Sequence, residues 1–190
     1  MMRELPFGND GNISHTAMVN RMNSDLANDF GNLAQRVLSM INKNCEGLVP
    51  SPGLLTVDDG ALLVPARELV DKMRARIDVQ AIHLSLAALW DVVGEANRYV
   101  DTQAPWALKK TDPERMATVL YVLAEVIRHL AILAQPVVPE AAARMLDQLA
   151  VPEDQRSFAA LTEAGMLRPG TALPKPQGVF PRYAGPEEDT

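Results

Sequence analysis

Asn28, Asn32 and Arg36 recur at intervals of four, and Asp25 precedes Asn28 by three. On a helix this spacing stacks side chains along one side. An Asn amide offers a donor and an acceptor, and an Arg guanidinium offers a planar fork of donors. Such a row suits the edges of nucleobases. It also suits a hydrogen-bonded seam that fixes the helix against its neighbours, and spacing alone favours the seam. Trp106 poses a similar choice. It is one of two tryptophans, and it closes the stretch NRYVDTQAPW directly after Pro105. An indole just past a helix stop either plugs the core under a loop or serves as a platform for an unstacked base, worth roughly 1–3 kcal/mol per base. Trp90 falls at a periodic mid-helix position and is the better core residue. Lys109 and Lys110 follow Trp106 and could meet phosphates.

Other chemistries find no support. There is no G-x-x-x-x-G-K-[ST] loop and no G-x-G-x-x-G turn. His15, His83 and His129 stand apart, and a lone helical histidine is more often a packing or surface residue than a ligand, so no metal is assigned. Cys45 is the single cysteine, which excludes an intrachain disulfide and a cysteine-based zinc site. The carboxylate pairs Asp58–Asp59 and Glu153–Asp154 read as solvated charge in loops. No catalytic residues are assigned. The net charge of −6 argues against indiscriminate nucleic-acid binding, but a surface can read splayed bases without a basic face. No apolar run of membrane-spanning length and no signal pattern is read from the chain.

The elements that must position these residues are helical. Apolar residues make up 47% and aromatics only 5%, with Leu, Ala, Val and Met dominant. Val19, Met22, Leu26, Phe30, Leu33, Val37 and Ile41 form one stripe on a long first helix, capped by Ser14 or Thr16 and fading near Asn44. Gly31 within it implies close approach of another helix. Pro65 is expected at the first position of a second helix, with Asp78 its cap or break. A third helix runs from Ile82 past Val100 and ends before Pro105. Asp112 caps a fourth, with Pro113 at its first position and Met116–Leu133 buried on nearly every face. Pro139 opens a short fifth. After Val151 the prolines mark an extended tail, with at most one short helix in FAALTEAGML. The expectation is an all-α bundle of four to five helices, divided as a lead-in at 1–15, a bundle at 16–150 and a C-terminal extension at 151–190.

Two stretches carry a resemblance. NSDLANDFGNLAQRVLSMI (23–41), with Asp25, Asn28, Asn32, Leu33 and Arg36, resembles the first helix of the anticodon-binding domain of methionyl-tRNA synthetases. NRYVDTQAPWALKK (97–110) resembles the same family's Asn-Arg-Tyr to Ala-Pro-Trp segment. RELPFGNDGNIS (3–14), QPVVPE and VFPR (179–182) fit as well. The resemblance implies the bundle type of class I aminoacyl-tRNA synthetases and recognition of the CAU anticodon of methionine tRNA. Trp106 would stack on a splayed base, and Asn32 and Arg36 would donate to base edges or backbone. Asn28 and Asn97 match family positions but are candidates for structural roles. Gln35 departs mildly from the family's usual Asn. The family's His-Ile-Gly-His and Lys-Met-Ser-Lys-Ser signatures are not found, so the chain is expected to be a fragment, inactive alone, with ATP and Mg belonging to the parent's catalytic domain and no cofactor of its own. The implied partners are the anticodon loop and that missing domain, in a cytoplasmic monomer away from any membrane. The alternative is a helical protein-interaction scaffold that binds no RNA.

Overall fold

The computed structural model describes Arg3, Phe7, Gly8 and residues 14–184. The expected lead-in at 1–15 falls mostly outside them, and its last residue, His15, already opens the first helix. Ser14 caps the first helix, its Oγ accepting from the Ala17 N–H at 3.0 Å. The rod continues through α1 (His15–Arg21), a π-helical segment (Met22–Gly31) and α2 (Asn32–Asn44). The π winding divides the apolar stripe. Phe30, Leu33, Val37 and Ile41 are completely buried, but Met22 is exposed and α1 buries no side chain. A π turn holds more residues than an α turn, so a stripe drawn at α spacing leaves the core when it is extended upstream.

The second helix starts earlier than its proline suggests. α3 (Val57–Asp78) begins at a capping box: Thr56 Oγ1 accepts from the Asp59 N–H, and the Asp59 carboxylate accepts from the Thr56 N–H at 2.8 Å. Pro65 therefore lies inside the helix, on its exposed side. An interior proline costs about 3 kcal/mol. The reciprocal cap and the burial of Leu62, Leu63 and Ala66 offset it.

α4 (Ile82–Gln103), α5 (Pro105–Thr111), α6 (Pro113–Ala134) and α7 (Pro139–Gln148) follow. Asp112 Oδ1 accepts from the Arg115 N–H at 3.0 Å, and Pro113 sits at the first position of α6. Every residue from 118 to 134 is buried, which makes α6 the central rod. By length and composition α6 is apolar enough to cross a membrane, contrary to the expectation that no such run exists. Its apolar surface is covered by the other helices instead. The long first rod, α3, α4, α6 and α7 make the expected all-α bundle, and α5 is a short addition. Among the described residues there is no β-strand, only an isolated antiparallel bridge between Leu48 and Ala172.

The C-terminal extension lies on the bundle. Three short 3₁₀ turns (Glu153–Gln155, Phe158–Ala160, Glu163–Gly165) replace the single helix expected there. Inside α6, Glu125 and Arg128 form a fully buried ion pair, with Arg128 Nε donating to Glu125 Oε1 at 2.7 Å. Arg128 Nη1 also donates to the Ala160 carbonyl, Glu125 accepts from the Leu167 N–H, and Tyr121 Oη donates to the Leu167 carbonyl. Further on, Phe180 packs beside Phe30, and Tyr183 exchanges two hydrogen bonds with Asn23. The close approach that Gly31 permits is by this tail rather than by a helix. A Cβ there would lie 2.9 Å from the Leu26 carbonyl oxygen and 3.2 Å from Phe180 Cδ2. Gly31→Ala is expected to destabilise the chain by about 1–3 kcal/mol, because a backbone oxygen cannot step aside. Urea unfolding checks this.

Candidate functional site

Pro105 is buried and Trp106 is 52% exposed, so the turn is anchored by the proline while the indole stands out. The helix after the Ala-Pro turn, α5, is what the sequence reading lacked. It holds Trp106 in its first turn and Lys109 and Lys110, both exposed, in its last. Ala104 links α4 to α5 with φ 42° and ψ 59°. A left-handed alanine costs about 1–2 kcal/mol, so the neighbouring contacts must hold this turn.

Across from it, α2 presents Asn32, exposed, and Arg36, half-buried, one turn apart. The Arg36 guanidinium lies 5.7 Å from the centre of the Trp106 ring, within cation–π range. Arg36 Nη2 also donates to Asp101 Oδ1 at 2.8 Å. Asp101 is well exposed, and such surface pairs contribute about 0–1 kcal/mol. Arg36 can therefore exchange this partner for another at small cost. The structure thus brings Arg36 and Trp106 together from different elements, with Asn32 adjoining on α2.

Other members of the proposed row face elsewhere. Asn28 Oδ1 accepts from Arg182 of the tail. Asn97 Nδ2 donates to the Asp29 carbonyl at 3.2 Å and to that of Val93 at 3.1 Å, tying α4 to the π segment. Asp25, expected on the same polar side, is buried and paired with Arg3 and Arg21. The π winding between Asp25 and Asn32 breaks the four-residue repeat from which that side was drawn. Trp90 packs edge-on to Phe30, and its indole N–H donates to the Asp25 carbonyl at 3.3 Å. His129 is buried with Nδ1 3.0 Å from the Glu125 carbonyl oxygen, and burial pulls its pKa down.

The largest departure from the sequence reading is Asp59. It is not solvated loop charge. Its side chain is completely buried, and three helix ends converge on it. Arg115, in the first turn of α6, grips it with both ends of its fork, Nη1 to Oδ2 at 2.6 Å and Nη2 to Oδ1 at 2.8 Å. Tyr99 Oη donates to Oδ1 from α4. Arg115 Nη2 also donates to Gln103 Oε1 at 2.7 Å, and Gln103 is the last residue of α4. Gln103 Nε2 donates in turn to Asp58 at 3.1 Å. Burial alone raises the Asp59 pKa, but hydrogen bonds from Arg115, Tyr99 and the Thr56 N–H, with the guanidinium charge, outweigh it and hold the carboxyl at about 2. Burial first, then the Asp59 hydrogen bond, pushes the Tyr99 hydroxyl far up, so it stays a donor. The one sequence signal for Asp59 was its place three residues after Thr56, a capping-box spacing.

The family profile described as the anticodon binding domain of methionyl tRNA ligase matches residues 49–189. The chain belongs to that family. A second profile, class I tRNA synthetases of the methionine type, matches residues 1–38. Arg36 and Trp106 thus come one from each matched stretch. A methionine–tRNA ligase from Brucella suis is 57% identical over 188 residues, 99% of this chain and 36% of that protein. One from Mesorhizobium japonicum is 58% identical over 182 residues, 96% of this chain and 35% of that protein. The apo crystal structure of Mycobacterium tuberculosis methionyl-tRNA synthetase superposes with a TM-score of 0.94 at 51% identity, covering 97% of this chain and 38% of that one. The chain therefore spans little more than a third of the length of the relatives it matches.

Asp59→Ala is expected to destabilise the fold by about 3–5 kcal/mol, because it strands a buried guanidinium; denaturant titration measures this. The carboxyl titrates lower in the folded chain than in the unfolded one. Its contribution is therefore full above about pH 4 and is lost as the pH falls towards 2, on the order of 2 kcal/mol. Melting temperatures between pH 7 and pH 2.5 are expected to show an acid loss that is smaller in Asp59→Asn.

Proposed function

We propose that this chain recognises the CAU anticodon of methionine tRNA on the face built by Asn32, Arg36 and Trp106. The observation that carries the reading is the half-exposed indole with the Arg36 guanidinium 5.7 Å from its ring centre, in a domain of an anticodon-binding family. A splayed base gains by stacking on an indole that is already in place. Rigid mounting lowers the entropy lost when the ring is ordered against a base. Arg36 and Asn32 supply donors and an acceptor beside the ring, the equipment for reading base edges. Lys109 and Lys110 lie on the same short helix and would meet backbone phosphates as sequence-neutral support. Asn28 and Asn97 act structurally, since both are engaged with the protein itself.

The anticodon is one end of the proposed task. The catalytic domain of the same enzyme, a further partner, would join methionine to the tRNA with ATP and Mg. This reading carries with it a cytoplasmic monomer.

The test is binding to an anticodon stem-loop followed by Trp106 fluorescence at stated salt, in a Trp90→Phe background. A CAU loop is expected to quench or shift the emission. Changing the anticodon should weaken binding far more than changing the stem. Trp106→Ala should lose about tenfold or more in affinity, in line with one stacked base. Equal binding to every loop, or undiminished binding by Trp106→Ala, would overturn the proposal and favour a protein-interaction bundle.

A further inference from the structure

We infer that Gln103, Arg115 and Asp59 are positioning residues for the Trp106 platform: a partly buried clamp that sets where the indole stands without touching RNA. The inference rests on the stacking role proposed for Trp106 and goes beyond it. α5 is only seven residues long, from Pro105 to Thr111, and it begins at a left-handed alanine. So short a helix is not stable by itself. Pro105 and Leu108 seat its inner side on the core, and its two ends set where it lies along that seat. Gln103 closes α4 just before the Ala104 turn, and Arg115 lies in the first turn of α6 just after the Asp112 cap. A single guanidinium nitrogen, Arg115 Nη2, joins these ends, donating to Gln103 Oε1 at 2.7 Å and to Asp59 Oδ1 at 2.8 Å. Asp59 is fixed in turn by the α3 capping box and by Tyr99. The loop closed by Gln103 and Arg115 therefore holds the whole of α5. Arg36 stands outside that loop, on α2, so the ring-to-guanidinium distance depends on where the clamp puts α5.

Arg is required in this role. Its fork grips a carboxylate with two donors and keeps a further N–H for Gln103, whereas a lysine ammonium offers no fixed plane. Gln103 is the arm to test, because removing it leaves the Asp59–Arg115 pair in place and the fold intact.

The experiment uses the 190-residue chain in the Trp90→Phe background, so that Trp106 is the sole indole. Gln103→Met keeps length and removes both the acceptor for Arg115 and the donor to Asp58. Gln103→Glu keeps the acceptor for Arg115 and loses only the donor to Asp58, so it separates the clamp bond from the Asp58 bond. Three readouts are taken for each: Trp106 fluorescence anisotropy, affinity for the CAU stem-loop, and melting temperature. Gln103→Met is expected to lower the anisotropy and weaken binding about three- to tenfold, with a melting temperature close to the parent's, and Gln103→Glu to recover most of the affinity. Unchanged anisotropy and affinity in Gln103→Met, with Trp106→Ala still impaired, would overturn the clamp and leave the stacking role standing. Undiminished binding in Trp106→Ala as well would remove the stacking role on which the clamp rests. Should Gln103→Met melt well below the parent, Arg115→Lys, read by anisotropy and affinity at a temperature where it is folded, decides by the same criteria.

Discussion

A carboxylate with no access to water must find all its partners inside the protein, and Asp59 imposes that requirement on this bundle. Left alone it would be protonated or would drive the helices apart. Its partners come from the start of α3, from α4 and from the start of α6, so meeting its demand fixes how three rods end relative to one another. The reach of the constraint exceeds the cluster. α5 hangs between two of those ends, and Trp106 hangs on α5. A strained Ala104 turn persists because its flanks are held.

The central helix meets a comparable demand further along its length. Glu125 and Arg128 pair within a mostly apolar rod, and each also makes a hydrogen bond to the backbone of the tail. Burying this pair is not an efficient source of stability, since an apolar pair of similar volume would serve as well. What it supplies is direction: the Ala160 carbonyl and the Leu167 N–H each have one place to go. The tail then returns to the first rod, where Phe180 lies against Gly31 and Arg182 against Asn28. The π segment is thereby held by α4, through Asn97, and by the tail.

These two buried charge clusters brace the helices that carry the exposed face. Asn32 and Arg36 ride on a rod whose buried side is locked, and Trp106 rides on a helix locked at both ends. Only the weak surface pair of Arg36 with Asp101 has to yield when a planar ligand arrives. A face built this way presents donors and an aromatic surface with little ordering left to do, and preorganisation of that kind raises affinity without adding contacts.

Local chemistry was legible in the residues. Ser14 and Asp112 as caps, the helix stops before Pro105 and Pro136, Pro113 and Pro139 in first turns, and α6 as a buried rod follow from rules that act within a few residues. So did the chemical types of Trp106 and Arg36, and two motifs in order were enough to mark the family. Other features were decided by contacts between residues far apart in the chain. The Asp59–Arg115 pair spans 56 positions, and the partner of Arg128 at Ala160 lies 32 positions on. No periodicity encodes a meeting at that separation, so Asp59 read as solvated loop charge. Pro65 mimics a helix start although the capping box lies upstream of it, and Asn28 mimics part of a surface row because the π winding is invisible to a four-residue repeat. The sequence by itself determined which segments coil and which side chains carry useful chemistry. Only the packed structure decided which of them face water and which face one another, because that depends on which buried charges find partners once the rods are assembled.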